Sequence, residues 1–155
     1  MRGSVKPVAP RWYAVQTRSN HEHKCERYLA ARTVEAFLPA YEARSVWSDR
    51  VVTLRKPLFR GYLFARLEAS GPSRLAVLRA PGFVRLVGFG ADPSPVADDT
   101  VESLRLAVAG GAARPCAFVR EGTRVVIRTG PLRGASGIIG THGRKRILVV
   151  SVELL

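Results

Sequence analysis

Three groups of side chains in this 155-residue chain combine types and spacing that could do chemistry. The first is His21-x-His23-x-Cys25, all zinc-ligand types. The surrounding pattern reads as a helix, on which His21 and Cys25 share a face and His23 points to the opposite side, so the three cannot converge on one ion. Cys25 is therefore expected as a small core residue and the histidines as surface groups, with no metal and no cofactor. The second group is the basic stripe of Lys24, Tyr28 and Arg32, with Arg18 just before it. An aromatic among cations can grip phosphates and stack on an unpaired base, and a solvated helix face is the plain alternative. The third is an aromatic row, Phe59, Tyr62 and Phe64. Tyr62 and Phe64 have the period-2 spacing of one strand face, with Leu63 on the other. Such a row is either sheet core or, if partly exposed, an anchor for a partner.

Catalytic patterns are lacking. Gly88-Phe89-Gly90 leads into Ala91-Asp92-Pro93 rather than a helix opened by a third glycine, and Gly130-Pro131-Leu132-Arg133-Gly134 lacks the Gly-Lys-Ser/Thr of a phosphate loop. Carboxylates are few and scattered, and no serine stands in Gly-x-Ser-x-Gly context. A binding protein is expected rather than an enzyme.

The charge supports that expectation. The chain has 25 Lys+Arg against 12 Asp+Glu, a formal +13, and 21 of the 25 cations are arginine. A GC-rich coding sequence explains the preference for arginine as well as phosphate recognition does, but the net charge is large enough to attract an anionic polymer. It is unevenly spread, at +10 over residues 1–90, −1 over 91–120 and +4 over 121–155. No apolar run approaches the roughly 18–20 residues that span a bilayer. The first residues lead into no secretory segment, and Cys25 and Cys116 are too few for a disulfide scaffold, so a cytoplasmic, monomeric protein with no membrane contact is expected.

The elements that must position these groups can be read in outline. After a flexible N-terminus over residues 1–10, Trp12–Val15 reads as a strand. Ser19 and Glu22 form a capping-box pattern, with Asn20 a competing cap, for a helix running to about Thr33. Residues 36–41 and 45–47 look extended, 48–50 look like a turn, and 51–54 return as a strand, giving a hairpin. Leu58–Leu67 reads as one strand, Ser73–Arg79 as a helix capped by Ser73, and Phe83–Val87 as a further strand. Asp98 can cap a last helix carrying Val101, Leu104, Ala107 and Val108 and ending at Gly110. The resulting order is α+β, helices packed on a largely antiparallel sheet over residues 11–109. Small residues and Pro115 mark a linker over residues 110–118. Beyond it, strands at 124–128 and 147–150 with frequent glycines predict a small β-barrel over residues 119–155.

Taken together, Trp12-Tyr13-Ala14-Val15, Pro57-Leu58-Phe59-Arg60-Gly61-Tyr62-Leu63-Phe64, Ala80-Pro81-Gly82-Phe83-Val84 and Pro95-Val96 resemble the N-terminal domain of NusG-type transcription elongation factors. The segment Glu121–Ile127 with Gly130, Pro131, Leu132, Arg133, Gly134 and Gly137 is similar to a KOW motif, an SH3-like barrel. Through Pro57-Leu58-Phe59 the chain is more similar to the RfaH and UpxY-like antiterminators than to housekeeping NusG.

The resemblance implies an N-terminal domain that grips the clamp helices of RNA polymerase, with Phe59, Tyr62 and Phe64 at the pocket positions and Ser73 and Arg74 touching polymerase across the cleft. It also implies that Arg18, Lys24, Tyr28 and Arg32 approach the displaced non-template DNA strand. The KOW domain would recruit a small-subunit ribosomal protein or the Rho termination factor; Arg144-Lys145-Arg146 at its hairpin tip either touch RNA or merely solubilise the turn, and three charges do not decide between the two. Relative to the family pattern the chain stops one strand short after Val150–Leu155, leaving either a truncated sequence or a barrel with an open edge. A ribosome-associated KOW-type RNA-binding protein is the competing class, which the N-terminal motifs disfavour.

Overall fold

The structure is a computed structural model and describes residues 8–89, 92–111, 113–115, 122–126, 128, 133–142 and 145–149. It divides into two compact units, one of Met1–Leu38 with Gly61–Val96, the other of Pro39–Arg60 with Ala97–Leu154.

The first unit is built on strand β1 (Arg11–Thr17), whose aromatic and β-branched residues suit a buried central position. After β1 come helix α1 (Glu22–Ala30), strand β2 (Ala36–Phe37), and then β5 (Tyr62–Leu67), α2 (Pro72–Leu78) and β6 (Phe83–Leu86). Two-residue strands β7 (Gly88–Phe89), β8 (Asp92–Pro93) and β9 (Pro95–Val96) complete it. The segment between β2 and β5 forms β3 (Ala40–Trp47) and β4 (Arg50–Pro57) of the other unit. The sheet order is β2-β5-β1-β6, with β9 also pairing β1, all antiparallel.

Register sorts the side chains onto two faces. Tyr13 lies opposite Ala65 and Val15 opposite Leu63, and this face packs with Cys25, Leu29, Val34, Leu38 and Val77 as the core. Leu29, Leu38 and Leu63 are fully buried, each worth about 1.5–3 kcal/mol against exposure. The opposite face carries Trp12, Ala14 and Phe64, which are buried as well.

In the second unit β3 and β4 form an unbroken hairpin from Ala40↔Pro57 to Trp47↔Arg50. Its turn places Ser48 at φ 37. Helix α3 (Asp98–Ala109) buries Val101 and Leu104. Strands β10 (Arg124–Val126), β11 (Ser136–His142) and β12 (Lys145–Val149) form an antiparallel sheet in the order β10-β11-β12. Helix α3 packs on β11, where the Ser136 N–H donates to Ser103 Oγ at 3.1 Å and Ala135 is fully buried.

The antiparallel α+β architecture matches the sequence expectation, and several boundaries do not. Helix α1 stops at Ala30, because Thr33 takes φ 60 and turns the chain. The expected capping box does not form: the cap position is His21, Asn20 has φ 66, and Glu22 reaches elsewhere. Gly71 and Ala97, not Ser73 and Asp98, occupy the cap positions of α2 and α3. Strand β5 begins at Tyr62 rather than Leu58, since Gly61 at φ 82 breaks the extended run. Strand β11 was diluted in the sequence by Gly137 and Gly140, and β12 starts at Lys145, so Lys145 and Arg146 are strand residues rather than turn residues. Residues 127, 143, 144 and 150 of the expected C-terminal pattern lie outside the described residues.

Candidate nucleic-acid groove and partner surface

The turn that presents Arg18 is held by two glycines. The Thr17 N–H donates to Gly61 O at 2.7 Å and the Arg18 N–H to Gly82 O at 2.8 Å. Gly82 sits at φ 76 against His21, whose side chain a Cβ at that position would overlap. Glu22, almost wholly buried, accepts a hydrogen bond from the Gly61 N–H at 2.8 Å. A charge-assisted bond of this kind is stronger than a neutral one, and the carboxylate also lies in the first helical turn, where the helix dipole favours it. Glu22 thus ties the start of α1 to the residue preceding Tyr62. This link spans 39 positions, which is why a local capping pattern misread it.

On α1 the faces sort as expected. Cys25 and Leu29 are fully buried, Lys24 is exposed and Tyr28 is half-buried, while Arg32 is exposed in the turn that follows the helix. Burial, with a smaller contribution from nearby Glu26, pushes the Cys25 thiol up to about 11, so it stays protonated at neutral pH. The Arg32 guanidinium lies 3.4 Å from the Tyr28 ring centroid and donates to the Tyr28 carbonyl at 3.2 Å. The aromatic of the stripe is therefore already stacked by its neighbour one turn on.

Tyr28 and Arg32 line a groove of about 590 Å³ together with Val34, Glu68, the α2 residues Ser73, Leu75 and Ala76, and Arg79 at the C-cap of α2. The structure brings Tyr28, Arg32 and Ser73 together in this groove, while Arg18, Lys24 and Arg74 are not among its lining. Ser73 Oγ accepts from the Glu68 N–H at 3.1 Å, and Arg74 Nη1 donates to Ala69 O at 3.1 Å, so both side chains pin the loop between β5 and α2. Arg79 and exposed Leu75 went unnoticed in the sequence, although their i,i+4 spacing puts them on one helix face.

The aromatic row divides. Tyr62 and Phe64 do share a face opposite Leu63, but only Tyr62 is half-buried. Phe64 is wholly buried and stacks on Phe37, with ring centroids 6.4 Å apart, so it supports the sheet rather than presenting a surface. Phe59 is half-buried and belongs to the second unit. Of the KOW-motif residues, Gly130, Pro131 and Leu132 lie outside the described residues. Arg133 is exposed, Gly134 takes φ 90, and Gly137 pairs with Val125.

The first unit is thus an antiparallel sheet backed by helices, with a groove lined by Arg32, Arg79 and Glu68. The family model described as "Transcription termination factor nusG" matches residues 10–105, and the chain belongs to the NusG family. It is 30% identical over 141 residues to the transcription termination/antitermination protein NusG of Staphylococcus carnosus, covering 83% of this chain and 78% of that one. The protein of the same name from Staphylococcus aureus is 28% identical over the same length. A solved structure of Thermotoga maritima NusG, described for its domain interaction, aligns with TM-score 0.53 at 20% identity, over 88% of this chain and 82% of that one, and supports the fold. Among the described residues no helix is long and apolar enough to cross a membrane.

Proposed function

We propose that the chain is a transcription elongation and antitermination factor that acts by binding, without catalysis, on RNA polymerase and on the displaced non-template DNA strand. The observation that carries this reading is the groove lined by Tyr28, Arg32 and Arg79, with Val34 and Ala76 as apolar lining and Glu68 as its one acid. It offers phosphate-pairing cations beside an aromatic ring, the combination that holds single strands with little sequence preference. Arg18 and Lys24, also exposed, are assigned as further strand contacts outside the groove.

Polymerase binding is assigned to the segment 11–109, with Phe59 and Tyr62 as contacting aromatics and Phe64 as buried support of the strand that carries Tyr62. Ser73 and Arg74 act there by shaping the β5–α2 loop. Residues 119–155, joined through 110–118, are assigned as the KOW module, with Gly130, Pro131, Leu132, Arg133, Gly134 and Gly137 as its motif. It would recruit a small-subunit ribosomal protein or Rho. Pro57-Leu58-Phe59 supports a place beside the RfaH and UpxY-like paralogues, whereas the Staphylococcus relatives carry the NusG name.

Photocrosslinking of the full chain in a reconstituted elongation complex tests the reading. Crosslinks from position 28 to the non-template strand and from position 62 to polymerase are expected. Crosslinks from position 28 to polymerase alone would overturn the strand assignment.

A further inference from the structure

The groove lined by Tyr28 and α2 holds two charged groups that the fold itself does not use. Glu68, the residue after β5, is half-buried, and among the described residues its carboxylate makes no hydrogen bond or ion pair. The guanidinium of Arg79, exposed at the C-cap of α2, is likewise without a partner among the described residues. Opposite charges thus line one groove without neutralising each other. The backbone at Glu68 is held in place: its N–H donates to Ser73 Oγ at 3.1 Å, and Arg74 Nη1 donates to the carbonyl of Ala69 at 3.1 Å. Gly71 leaves room for the carboxylate, since a Cβ there would stand 3.2 Å from Glu68 Oε2. A carboxylate in such a groove loses its water when a ligand enters, so it selects a ligand that brings donors to replace that water.

We propose that the groove binds a free guanine nucleotide, with Glu68 accepting from the edge of the base, Tyr28 stacking on its face, and Arg32 and Arg79 pairing with its phosphates. Guanine is selected by its donors. Its Watson–Crick edge sets N1–H beside the N2 amine, and an ionised carboxylate, which only accepts, can take both at once. Adenine and cytosine each set an amine beside a bare ring nitrogen, whose lone pair would face the second carboxylate oxygen. Thymine and uracil set one N–H between two carbonyls. The groove volume of about 590 Å³ falls within the range of about 300–1,000 Å³ that small-molecule sites occupy.

A free nucleotide suits this lining better than a guanosine within a strand. A nucleoside diphosphate gathers its charge at one end, where two guanidiniums can meet it and Glu68 is spared. A strand carries a phosphate on both sides of every base, which brings one of them toward the carboxylate. The Arg32 guanidinium that now covers Tyr28 leaves the ring to reach the phosphates as the base stacks. This site goes beyond the strand assignment and does not depend on it. A bound nucleotide occupies Tyr28 and Arg32, so it would displace any strand from them and make the chain responsive to nucleotide supply.

The test is fluorescence titration of the full chain, without DNA, using ribose-labelled methylanthraniloyl derivatives of guanosine, inosine and adenosine diphosphate. Wild type is expected to bind the guanosine form about tenfold more tightly than the inosine form, which lacks the N2 amine, since one hydrogen bond to a charged group is worth about that factor. The adenosine form should bind more weakly still. Glu68→Gln keeps the shape and replaces one acceptor by a donor, so it should lose the preference for guanine and gain one for adenine, the base that a carboxamide pairs with. Tyr28→Ala should weaken all three forms by about five- to hundredfold, the range that one stacking contact spans. Because no strand is present, failure of the strand assignment leaves these expectations unchanged. Equal affinity of wild type for the guanosine and adenosine forms would overturn the proposal, as would an unchanged guanine preference in folded Glu68→Gln. A second arm uses thymidine strands with and without a single guanosine; a Glu68-dependent guanine preference seen there and not with the diphosphates would also overturn it.

Discussion

Helix α1 and the β3–β4 hairpin both place apolar, aromatic and cationic side chains within a few residues of one another, and they treat the apolar ones in opposite ways. Helix α1 buries Cys25 and Leu29 completely and leaves Lys24 and Arg27 exposed. The hairpin pairs every backbone rung with its own partner strand, so its local structure needs no burial, and Val46, Val51 and Trp47 are left in solvent. The difference separates scaffold from contact surface: the same residue type is structural where the fold covers it and available for a partner where the fold does not.

The largest test of that contrast is Leu29→Ala, which opens a cavity in a wholly buried position and should destabilise the protein by about 2–5 kcal/mol in urea denaturation. Glu22→Ala should follow, at about 1–3 kcal/mol, because it strands the Gly61 donor, whereas Glu22→Gln keeps an acceptor and should recover much of the loss. Tyr28→Ala should cost about 1–3 kcal/mol of single-strand affinity, measured by fluorescence titration, and destabilise the fold less than Leu29→Ala does, since the ring packs on the core from a half-buried position.

Cys25 gives a pH test of the buried face. Its folded pKa of about 11 lies above the unfolded value of 9.0, so the folded state holds the proton more tightly. The stabilisation is complete below pH 9 and is lost as pH rises through 11, a decline that Cys25→Ala should lack in thermal melts. At the small end, Val46→Ala and Val51→Ala should change stability by no more than about 0.5 kcal/mol. A loss as large as that for Leu29→Ala would mean the tip is core after all.

Much of this architecture could be read from local pattern. The apolar stripe of α1, the hairpin and the shared face of Tyr62 and Phe64 all follow from spacing of three, four or two residues. What escaped depends on partners far along the chain. Ser19-x-x-Glu22 has the form of a capping box, yet the carboxylate bonds to Gly61, which no window around residue 22 contains. Phe64 looks like a contact aromatic by period, and its burial depends on Phe37 and on the face it shares with Ala14 and Trp12. The groove needs α1 and α2 side by side, so Arg79 could be placed on a helix face but not beside Tyr28 until the sheet was known.

The Arg32 guanidinium resting on Tyr28 makes the groove its own competitor. An exposed cation–π contact is worth about 0.5–1 kcal/mol, so displacing it reduces an incoming base's affinity by about two- to fivefold. That handicap is small beside the gain from a full stack. On the proposed reading it is large enough to weaken fleeting encounters with poorly stacking ligands and so to favour a well-stacked base.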